Sequence, residues 1–327
     1  MISVIVPTFD RPDSLRRAVQ SLFAQTYATT GFAIIIVDNS PTGSAAAVIS
    51  DLQRACPETI SLTAVNEPRP GVANARNAAM AVCETHLVAF LDDDQSAPET
   101  WLATLLQAYE HTPAAVTFGP VETALPGGQT RHRAYFSAFF ARKPDFVSGK
   151  INMSFGCGNA LIDFYQIPGG APWFDPKMNE TGGEDDLLFA RVRRADGDFA
   201  WAAEAPVFEH PLPERVTLNY TLRRAFSFGQ APISLALKDG KKRWDKVALW
   251  MLIGGAKFGW HGLQWFALSL IRHPGRAYQL DQAVRGFAKI VWWIDLKFYG
   301  AAAVKSAKPD PAAPAPEAPD LGDARRA

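Results

Sequence analysis

Three consecutive aspartates, Asp92, Asp93 and Asp94, follow an apolar run in the stretch LVAFLDDDQSAP, residues 87–98. Adjacent carboxylates at the end of a buried strand raise one another's pKa unless a cation compensates their charge. A hard divalent cation would do so, and Mg²⁺ is typically bound by one or two carboxylates together with substrate phosphates. The run therefore indicates a metal site for a phosphorylated ligand. The alternative is a solvated turn whose acids cap the next helix, because a DxD pattern also arises by chance.

A second segment, EPRPGVANARNAAM at 67–80, could lie close to these acids. Gly71 permits a tight turn, and the start of the helix behind it could face an anion. Arg69 and Arg76 carry positive charge that would suit an acidic site. The alternative for this segment is a surface loop followed by an ordinary amphipathic helix.

Two later segments also carry candidate residues. In GGEDD, Glu184 and Asp185 stand at the start of a predicted helix, where acids can simply complement the helix dipole. The glycines before them would let the backbone approach a ligand, and a carboxylate held there could serve as a general base. In PVFEHPLPER, His210 follows a short predicted strand, although a single histidine is more often structural than a ligand.

A scaffold must bring these segments together, and the first 120 residues alternate β-branched runs with helical patterns. Strands are predicted at 2–6, 33–40, 60–64 and 86–91, and helices at 12–25, 44–55, 72–83 and 97–110. This order predicts an α/β fold with a mostly parallel sheet flanked by helices. Ligands bind at the carboxyl ends of the strands in such sheets, where Pro7 and Thr8, Asp38 and the aspartate run would meet. Two more helices are predicted, at 182–197 and 217–229.

Charge is distributed unevenly, although 33 Lys+Arg balance 33 Asp+Glu in the whole chain. Residues 1–214 hold 15 basic against 25 acidic residues, and residues 215–305 hold 15 against 4. An acidic front part and a basic rear section indicate two tasks in one chain.

Three widely spaced cysteines form neither a disulfide framework nor a zinc spacing, which favours a reducing compartment. No signal-peptide pattern is seen, so we expect a cytoplasmic catalytic part.

The basic rear section contains long apolar runs. Residues 247–271 carry one formal charge, Lys257, and would be long enough to span a membrane. Basic residues on both flanks argue against crossing, because the positive-inside bias would keep both ends on the cytoplasmic side. Four glycines also weaken the prediction of a single straight helix: Gly254, Gly255, Gly259 and Gly262.

An apolar stripe is predicted after this segment. Five residues recur there at steps of three and four: Val284, Phe287, Val291, Ile294 and Phe298. Arg285, Lys289 and Lys297 lie off the stripe, and six of the nine tryptophans fall in the basic section. Basic residues beside Trp on amphipathic helices suit an anionic membrane surface, in the interface plane or as a re-entrant hairpin. The alternative is a helical appendage packed on the catalytic domain, or a dimer interface.

The order of the motifs PTFDR, VDNS, RPGVANARN, FLDDD, GCGNA, GGEDDLL and EH closely resembles family 2 glycosyltransferases of the GT-A fold. The resemblance covers roughly residues 1–230. It implies a Rossmann-like α/β domain and an inverting transfer from a UDP-, dTDP- or GDP-sugar. The QxxRW motif of processive synthases is missing, since GKKRW at 240–244 has Gly in place of Gln. Its absence favours transfer of one sugar at a time.

The resemblance also implies roles for individual residues. The donor-binding residues would be Pro7, Thr8, Asp38, Arg69, Arg76, Asp92 and Asp93. Among them Asp38 would contact the nucleobase, and Asp93 would lie near the donor ribose. Asp94, helped by Asp92 and by His210, would hold Mg²⁺ or Mn²⁺ against the donor diphosphate, where the metal neutralises charge on the leaving nucleotide.

The same resemblance places the catalytic base in the GGEDD segment. Asp185, beside Glu184, would take the proton from an acceptor hydroxyl. Gly158, Asn159 and Ala160 match the segment that lies beneath the donor sugar and the acceptor. The expected acceptor is a lipid-linked or cell-envelope glycan, because similar tails occur in family members that act on lipid-linked acceptors.

Three parts of the chain are therefore expected. Residues 1–230 would be the catalytic domain, 231–303 a helical region associated with the cytoplasmic face of a membrane, and 304–327 a disordered Pro/Ala-rich tail.

Among the alternative functions, a sugar nucleotidyltransferase would show a GxGxRxxP signature, which is missing, as are the P-loop and GxGxxG patterns. A non-catalytic sugar-nucleotide-binding or scaffold protein would have lost the DxD or the base. Nucleic acid is not an expected partner, because the basic section is interleaved with apolar runs.

Overall fold

Strands and helices alternate through the first part of the chain in the computed structural model, which describes residues 1–27, 31–128, 131–180, 182–238 and 242–294. The first elements are β1 (Ile2–Thr8), α1 (Pro12–Phe23), β2 (Phe32–Asp38), α2 (Ala46–Arg54), β3 (Ile60–Asn66), α3 (Val72–Val82), β4 (Leu87–Phe90), β5 (Gln95–Ser96) and α4 (Trp101–His111). Next come β6 (Val116–Phe118), β7 (Val121–Thr123), α5 (Arg133–Phe140), β8 (Gly149–Ile151), β9 (Ala160–Asp163), α6 (Glu184–Arg194), β10 (Phe199–Trp201) and β11 (Val207–Glu209). Three long helices follow: α7 (Leu218–Lys238), α8 (Trp244–Leu270) and α9 (Arg276–Ile290).

Eight of the strands form one sheet in the order β3-β2-β1-β4-β9-β6-β10-β8, and a second sheet has the order β5-β11-β7. Strands β1 to β4 run parallel to one another, which confirms the predicted α/β fold. The antiparallel strand β9, between β4 and β6, was not predicted. Thr8 is in register with Asp38, and Asp38 with Asn66, so three strands end side by side.

Helices cover both faces of this sheet, as predicted. Along β1 the side chains alternate between the faces, so that Val4 and Val6 pack in one apolar cluster with α1 and α4, and Ile5 packs in the other with α3 and α6. The helix predicted at 182–197 is shorter, from Glu184 to Arg194. Gly182 and Gly183 precede it with φ angles of 74° and 91°, which are not helical.

The helix predicted at 217–229 continues to residue 238 as α7. The predicted domain boundary at residue 230 therefore falls inside a continuous helix. Gly229 explains why the helix is held there: a Cβ on Gly229 would lie 2.6 Å from the carbonyl oxygen of Arg285, so α7 packs closely on α9 at this point. The tail predicted at 304–327 lies outside the described residues.

Residues 244–270 form one helix, α8, and the expectation that its glycines would weaken it was wrong. Gly254 and Gly286 lie where α8 and α9 touch, and a Cβ on either would be under 3 Å from the carbonyl oxygen of the other. The close packing that glycine permits offsets its unfavourable helix propensity. In the described parts of the chain, none of the helices combines the length and the apolar character that a membrane crossing requires.

The apolar stripe predicted beyond residue 284 is not a single helical face. The helix α9 ends at Ile290, so only Val284 and Phe287 of the stripe are helical, and Phe298 lies outside the described residues. Two basic residues of α9, Arg285 and Lys289, have contacts within the protein. Lys289 is buried and donates to the carbonyl of Arg285. Arg285 pairs in turn with buried Asp281. Exposed apolar side chains lie instead on α8, namely Leu249, Leu252, Trp260, Leu263, Phe266 and Leu270.

Candidate active site

The ends of β1 and β4 meet at the aspartate run. Thr8, which follows Pro7 in β1, donates its hydroxyl hydrogen bond to Asp93 Oδ2 at 2.7 Å. Arg11 Nη1 lies 2.9 Å from Asp93 Oδ1 and 3.1 Å from Asp94 Oδ2. Burial raises the pKa of Asp93 to about 6, against the opposing charge of Arg11 and with a further contribution from Asp94. Arg11 was not among the predicted site residues, yet it compensates two of the three aspartates.

Asp94 has a second cationic partner in Arg215, whose Nη1 lies 3.1 Å from the same Oδ2 atom. The backbone of Asp94 also accepts the His210 N–H at 2.7 Å, so this histidine is adjacent as expected. The His210 imidazole uses Nε2 to bond Ser96 Oγ at 2.8 Å, and a metal would have to bind Nδ1. Burial and then the charge of Arg17 lower the pKa of His210. The role of His210 as a metal ligand stays a prediction.

Asp92 is the aspartate that faces the crevice, with 40% of its side chain exposed. Arg76 Nη2 lies 3.9 Å from Asp92 Oδ1, and Arg76 Nη1 forms a short ion pair with Glu184. The Arg76 guanidinium is buried and lies 5.8 and 5.4 Å from the ring centroids of Phe90 and Phe174. Arg76 therefore connects the aspartate run to the GGEDD segment from a buried position. It is not exposed at the surface of the crevice, where a donor-binding residue was predicted.

The loop 156–158 lies between Asp92 and Asp185. Asp185 Oδ2 accepts the backbone N–H of Cys157 at 3.1 Å, which orients the predicted base. A Cβ on Gly156 would be 3.3 Å from Asp185 Oδ2, and one on Gly158 would collide with Asp92 Oδ2. Glycine is needed at 158 for this close approach. The predicted metal ligand Asp92 therefore contacts one end of the loop 156–158, and the predicted base Asp185 contacts the other end.

Arg142 holds this loop, and no sequence motif indicated it. Its guanidinium donates to four backbone carbonyls, those of Gly119, Gly156, Gly158 and Asn159. Burial lowers the pKa of Arg142 to about 10, although the charges of Asp92 and Asp185 act in the opposite direction. A buried cation therefore lies behind the loop, close to both acidic groups.

Asn159 and Ala160 are fully buried beyond the loop. Asn159 Nδ2 donates to the carbonyls of Pro120 and Ala205, and its Oδ1 accepts from Trp101 Nε1 at 2.8 Å. These bonds satisfy the Asn159 amide within the protein. Of the predicted Gly158–Asn159–Ala160 segment, only the glycine and the backbone are left to face a sugar.

Asp38, the predicted nucleobase contact, is buried at the end of β2. Its Oδ1 accepts from Ser40 N at 3.0 Å and its Oδ2 from Ala45 N at 2.9 Å. An ionised carboxylate has further lone pairs, so these bonds leave capacity for a nucleobase N–H. The Asp38 role stays a prediction, and its visible role is to hold the turn before α2.

Arg69 and the start of α3 differ from expectation. Arg69 pairs through Nε and Nη2 with its neighbour Glu67, and 77% of its side chain is exposed at the rim. Asn179 Oδ1 accepts the backbone N–H groups of Ala73 and Asn74 at 3.0 and 3.3 Å. The prediction that this helix start faces an anion was therefore wrong, because a side chain from the loop before α6 already caps it.

The aspartate run offers hard oxygen donors of the kind that Mg²⁺ and Mn²⁺ prefer. Within the part of the chain that the structure describes, no three His, Cys, Asp or Glu side chains are grouped as a complete metal site. A metal held by one or two carboxylates together with a diphosphate needs no such group. Asp92 and Asp94 fit that mode, since Asp92 faces the crevice and Asp94 lies beside it.

Glu209 is a further acid that the sequence interpretation missed, although it stands in the quoted EH motif. Burial, and then the charges of Asp94 and Asp92, raise its pKa to about 8, with Arg224 and Arg215 opposing. Arg11 was likewise present in the quoted PTFDR motif. Arg215 ends the quoted PVFEHPLPER segment but was not singled out, Arg142 belongs to no quoted segment, and the contacts of both are revealed only by the packing.

The chain is similar to known sugar-transferring proteins. A family model described as glycosyl transferase family 2 matches residues 3–165. The succinoglycan biosynthesis protein ExoM of Rhizobium meliloti is 30% identical over 266 residues, which cover 79% of this chain and 82% of that protein. The glycosyltransferase AglE of Haloferax volcanii is 24% identical, over 77% of this chain and 80% of its own length.

Two solved structures share the fold. The mannosyltransferase PcManGT from Pyrobaculum calidifontis, in complex with GDP-Man and Mn²⁺, matches with a TM-score of 0.59 and 19% identity, over 90% of this chain and 88% of that one. Residues 1–349 of S. aureus TarS, in complex with UDP-GlcNAc, match with a TM-score of 0.50 and 13% identity, over 88% of this chain and 90% of that one. These likenesses confirm the GT-A-like α/β fold.

Proposed function

Since the chain belongs to family 2 of the glycosyltransferases, we propose that it is an inverting, metal-dependent enzyme that moves one sugar from a nucleotide-sugar to an acceptor hydroxyl. One observation carries the proposal. The loop 156–158 lies between Asp92 and Asp185, so a sugar above its glycines would have donor-binding carboxylates on one side and a base on the other.

Asp185 is the base in this proposal. Its Oδ2 atom is fixed by the Cys157 N–H, and its carboxylate takes the proton of the acceptor hydroxyl as the oxygen attacks the anomeric carbon. Attack from the face opposite the leaving diphosphate is a single displacement and inverts the configuration. Glu184 does not touch the substrate here, because it is buried against Arg76 and holds the start of α6.

Asp94 and Asp92 would hold Mg²⁺ or Mn²⁺ against the donor diphosphate. When bound, such a metal neutralises the charge that develops on the leaving nucleotide. Thr8 and Arg11 fix the Asp93 carboxylate beside them, next to the donor ribose in our assignment. The mannosyltransferase of the same fold is in complex with GDP-Man and Mn²⁺, and TarS with UDP-GlcNAc, which supports a nucleotide-sugar donor.

Calorimetry with UDP-, dTDP- and GDP-sugars tests the donor site, with and without Mn²⁺. We expect the wild type to bind one nucleotide class in a metal-dependent way, and Asp94→Ala to lose that binding. The control is Asp51→Ala, which removes a surface aspartate on α2 whose ion pairs, among the described residues, are with Arg16 of α1 and Arg54 of α2. Binding that ignores both Mn²⁺ and the Asp94 substitution would overturn the metal assignment, and no binding by the wild type would overturn the donor site.

We also propose that the enzyme docks on the cytoplasmic face of a membrane through α8, which suits a lipid-linked or cell-envelope glycan acceptor. The apolar side chains from Leu249 to Leu270 are exposed along one stretch of about 32 Å, at 1.5 Å per residue. Exposed Lys246, Lys257 and Arg272 lie along and at the ends of it. An apolar surface bordered by cations fits anionic lipid headgroups.

Vesicle flotation tests the docking at low salt. The wild type should float with vesicles that contain anionic phosphatidylglycerol and far less with neutral phosphatidylcholine alone. The double variant Leu252→Glu/Leu263→Glu should stay in solution, because it places two charges in the apolar surface. Val147→Glu, at an exposed valine away from α8, is the control and should float. Dimerisation through α8 without vesicle binding would overturn the proposal in favour of an interface between two copies.

A further inference from the structure

Two arginines share one oxygen atom of Asp94, and they are not equivalent. Arg11 Nη1 contacts Asp93 Oδ1 at 2.9 Å as well as Asp94 Oδ2 at 3.1 Å. Arg215 Nη1 contacts Asp94 Oδ2 at 3.1 Å, and this is the single ion pair of Arg215 among the described residues. A cation bound by Asp94 would therefore leave Arg11 with one ion pair, and Arg215 with no ion pair among the described residues, although its charge would still act on nearby Glu209.

Arg215 and Arg11 are similarly exposed, at 21% and 23% of their side chains, but they are held differently. Arg215 ends a short turn, Pro213–Arg215, between β11 and α7. Its guanidinium lies over the ring of Tyr220 at 5.7 Å from the centroid. Arg11, by contrast, stands at the start of α1 and is held by two carboxylates.

We propose that Arg215 binds the donor diphosphate and that Asp94 holds it in readiness at the metal site. The proposal rests on the proposed function. A metal held by Asp94 and the Arg215 guanidinium would share one carboxylate, so each would weaken the binding of the other to it. Once released from Asp94, the guanidinium would be within reach of a diphosphate bound at that site. An arginine forms strong charge-assisted hydrogen bonds with phosphate oxygens. Metal binding and diphosphate binding are therefore coupled through one side chain.

The coupling predicts opposite effects of Arg215→Gln on two ligands. Mn²⁺ alone, titrated and followed by electron spin resonance of the free ion, should bind the variant roughly tenfold more tightly than the wild type, since a competing cation is gone. In saturating Mn²⁺, the nucleoside diphosphate that the wild type prefers among UDP, GDP and dTDP should bind the variant roughly tenfold more weakly. The charge-conserving Arg215→Lys should restore most of the wild-type Mn²⁺ affinity.

Arg17→Gln is the matched control. Arg17 is an exposed cation of α1 whose charge reaches His210, but none of the described ion pairs joins it to Asp94. If Arg17→Gln and Arg215→Gln change Mn²⁺ affinity equally, the effect is one of general electrostatics. The proposed competition between Arg215 and the metal for Asp94 is then refuted. If Arg215→Gln leaves diphosphate affinity unchanged, Arg215 is not a phosphate ligand. A wild type that binds neither Mn²⁺ nor a nucleotide refutes the proposed function itself, which is a different outcome.

Discussion

Charged side chains are buried in one region of this molecule, and apolar side chains are exposed in another. Around the aspartate run, Arg76, Asp93 and Glu184 are each at most 5% exposed, and each contacts an opposite charge. On α8, Leu252 and Leu270 are more than 70% exposed. Buried charges and exposed apolar patches are the two departures from ordinary burial that carry functional information. The first region is suited to binding ions, and the second to contact with another apolar surface.

The contrast lies within the C-terminal helices as well. The helix α9 keeps Asp281 buried, where it accepts from Tyr135 of α5 and pairs with Arg285. In this respect α9 resembles the catalytic part, and its sequence is also more polar than that of α8. Among the described residues of this section, the longest run of exposed apolar side chains lies on α8, with a few others on α7, on α9 and just after it.

The largest expected effect comes from the base. Asp185→Asn should lower kcat by roughly 10²–10⁴-fold, because the amide cannot accept the hydroxyl proton. Donor affinity should stay close to that of the wild type, since the asparagine can still accept the Cys157 N–H. The measurement is sugar transfer at saturating donor and acceptor, beside donor binding by calorimetry. Asp186→Asn, one residue along α6, is the control, and full activity of Asp185→Asn would contradict the assignment.

Next in size is the loss of a buried partner. Glu184→Ala leaves the Arg76 guanidinium buried beside apolar rings, and we expect the free energy of unfolding to fall by about 3–5 kcal/mol. Asp198→Ala breaks the surface pair with Lys150, whose two side chains are more than half exposed, and should cost less than about 1 kcal/mol. Urea denaturation measures both. Equal losses would mean that burial does not distinguish these two ion pairs.

Two adjacent glycines test the packing of α8 on α9 in the C-terminal helices. Gly254→Ala puts a Cβ 2.7 Å from the Gly286 carbonyl, and overpacking of this kind should cost about 1–3 kcal/mol. Gly255→Ala meets no atom within 4 Å and should stabilise the protein by about 0.5–1 kcal/mol through helix propensity. Thermal unfolding of the two variants is the measurement. Stabilisation by both would contradict the close packing of α8 on α9.

The smallest expected effect is on how steeply the free energy of unfolding changes with pH. Burial and the neighbouring Asp185, opposed by Arg76, raise the pKa of Glu184 from 4.5 to about 7. Between these values the folded protein retains a proton that the unfolded chain releases, so this group lowers the free energy of unfolding as pH rises from about 5 to 7. Glu184→Gln removes the titration, and its stability should fall less over that range. Parallel curves for the wild type and the variant would contradict the shift.

Much of the site could be predicted from strand ends. The alternation of β-branched runs and helical patterns placed Thr8, Asp38 and the aspartate run at neighbouring carboxyl ends, and the register of β1 with β2 agrees. The contacts of individual arginines could not be predicted in this way. Arg76 pairs with a residue 108 positions away and Arg215 with one 121 positions away. No local pattern encodes such distances, because the chain between the partners must fold first.

The sequence by itself determined the α/β order, the strand ends that carry the acids, and the presence of a basic, apolar rear section. These depend on periodicity and on local turn preferences, which act over a few residues. The tertiary structure decided which charges meet and that the Asn179 side chain caps α3. It also decided that the apolar side chains of α8 stay exposed while Asp281 and Lys289 of α9 are buried. Packing makes these choices, since a buried charge needs a partner at one fixed position and two glycines allow two helices to touch.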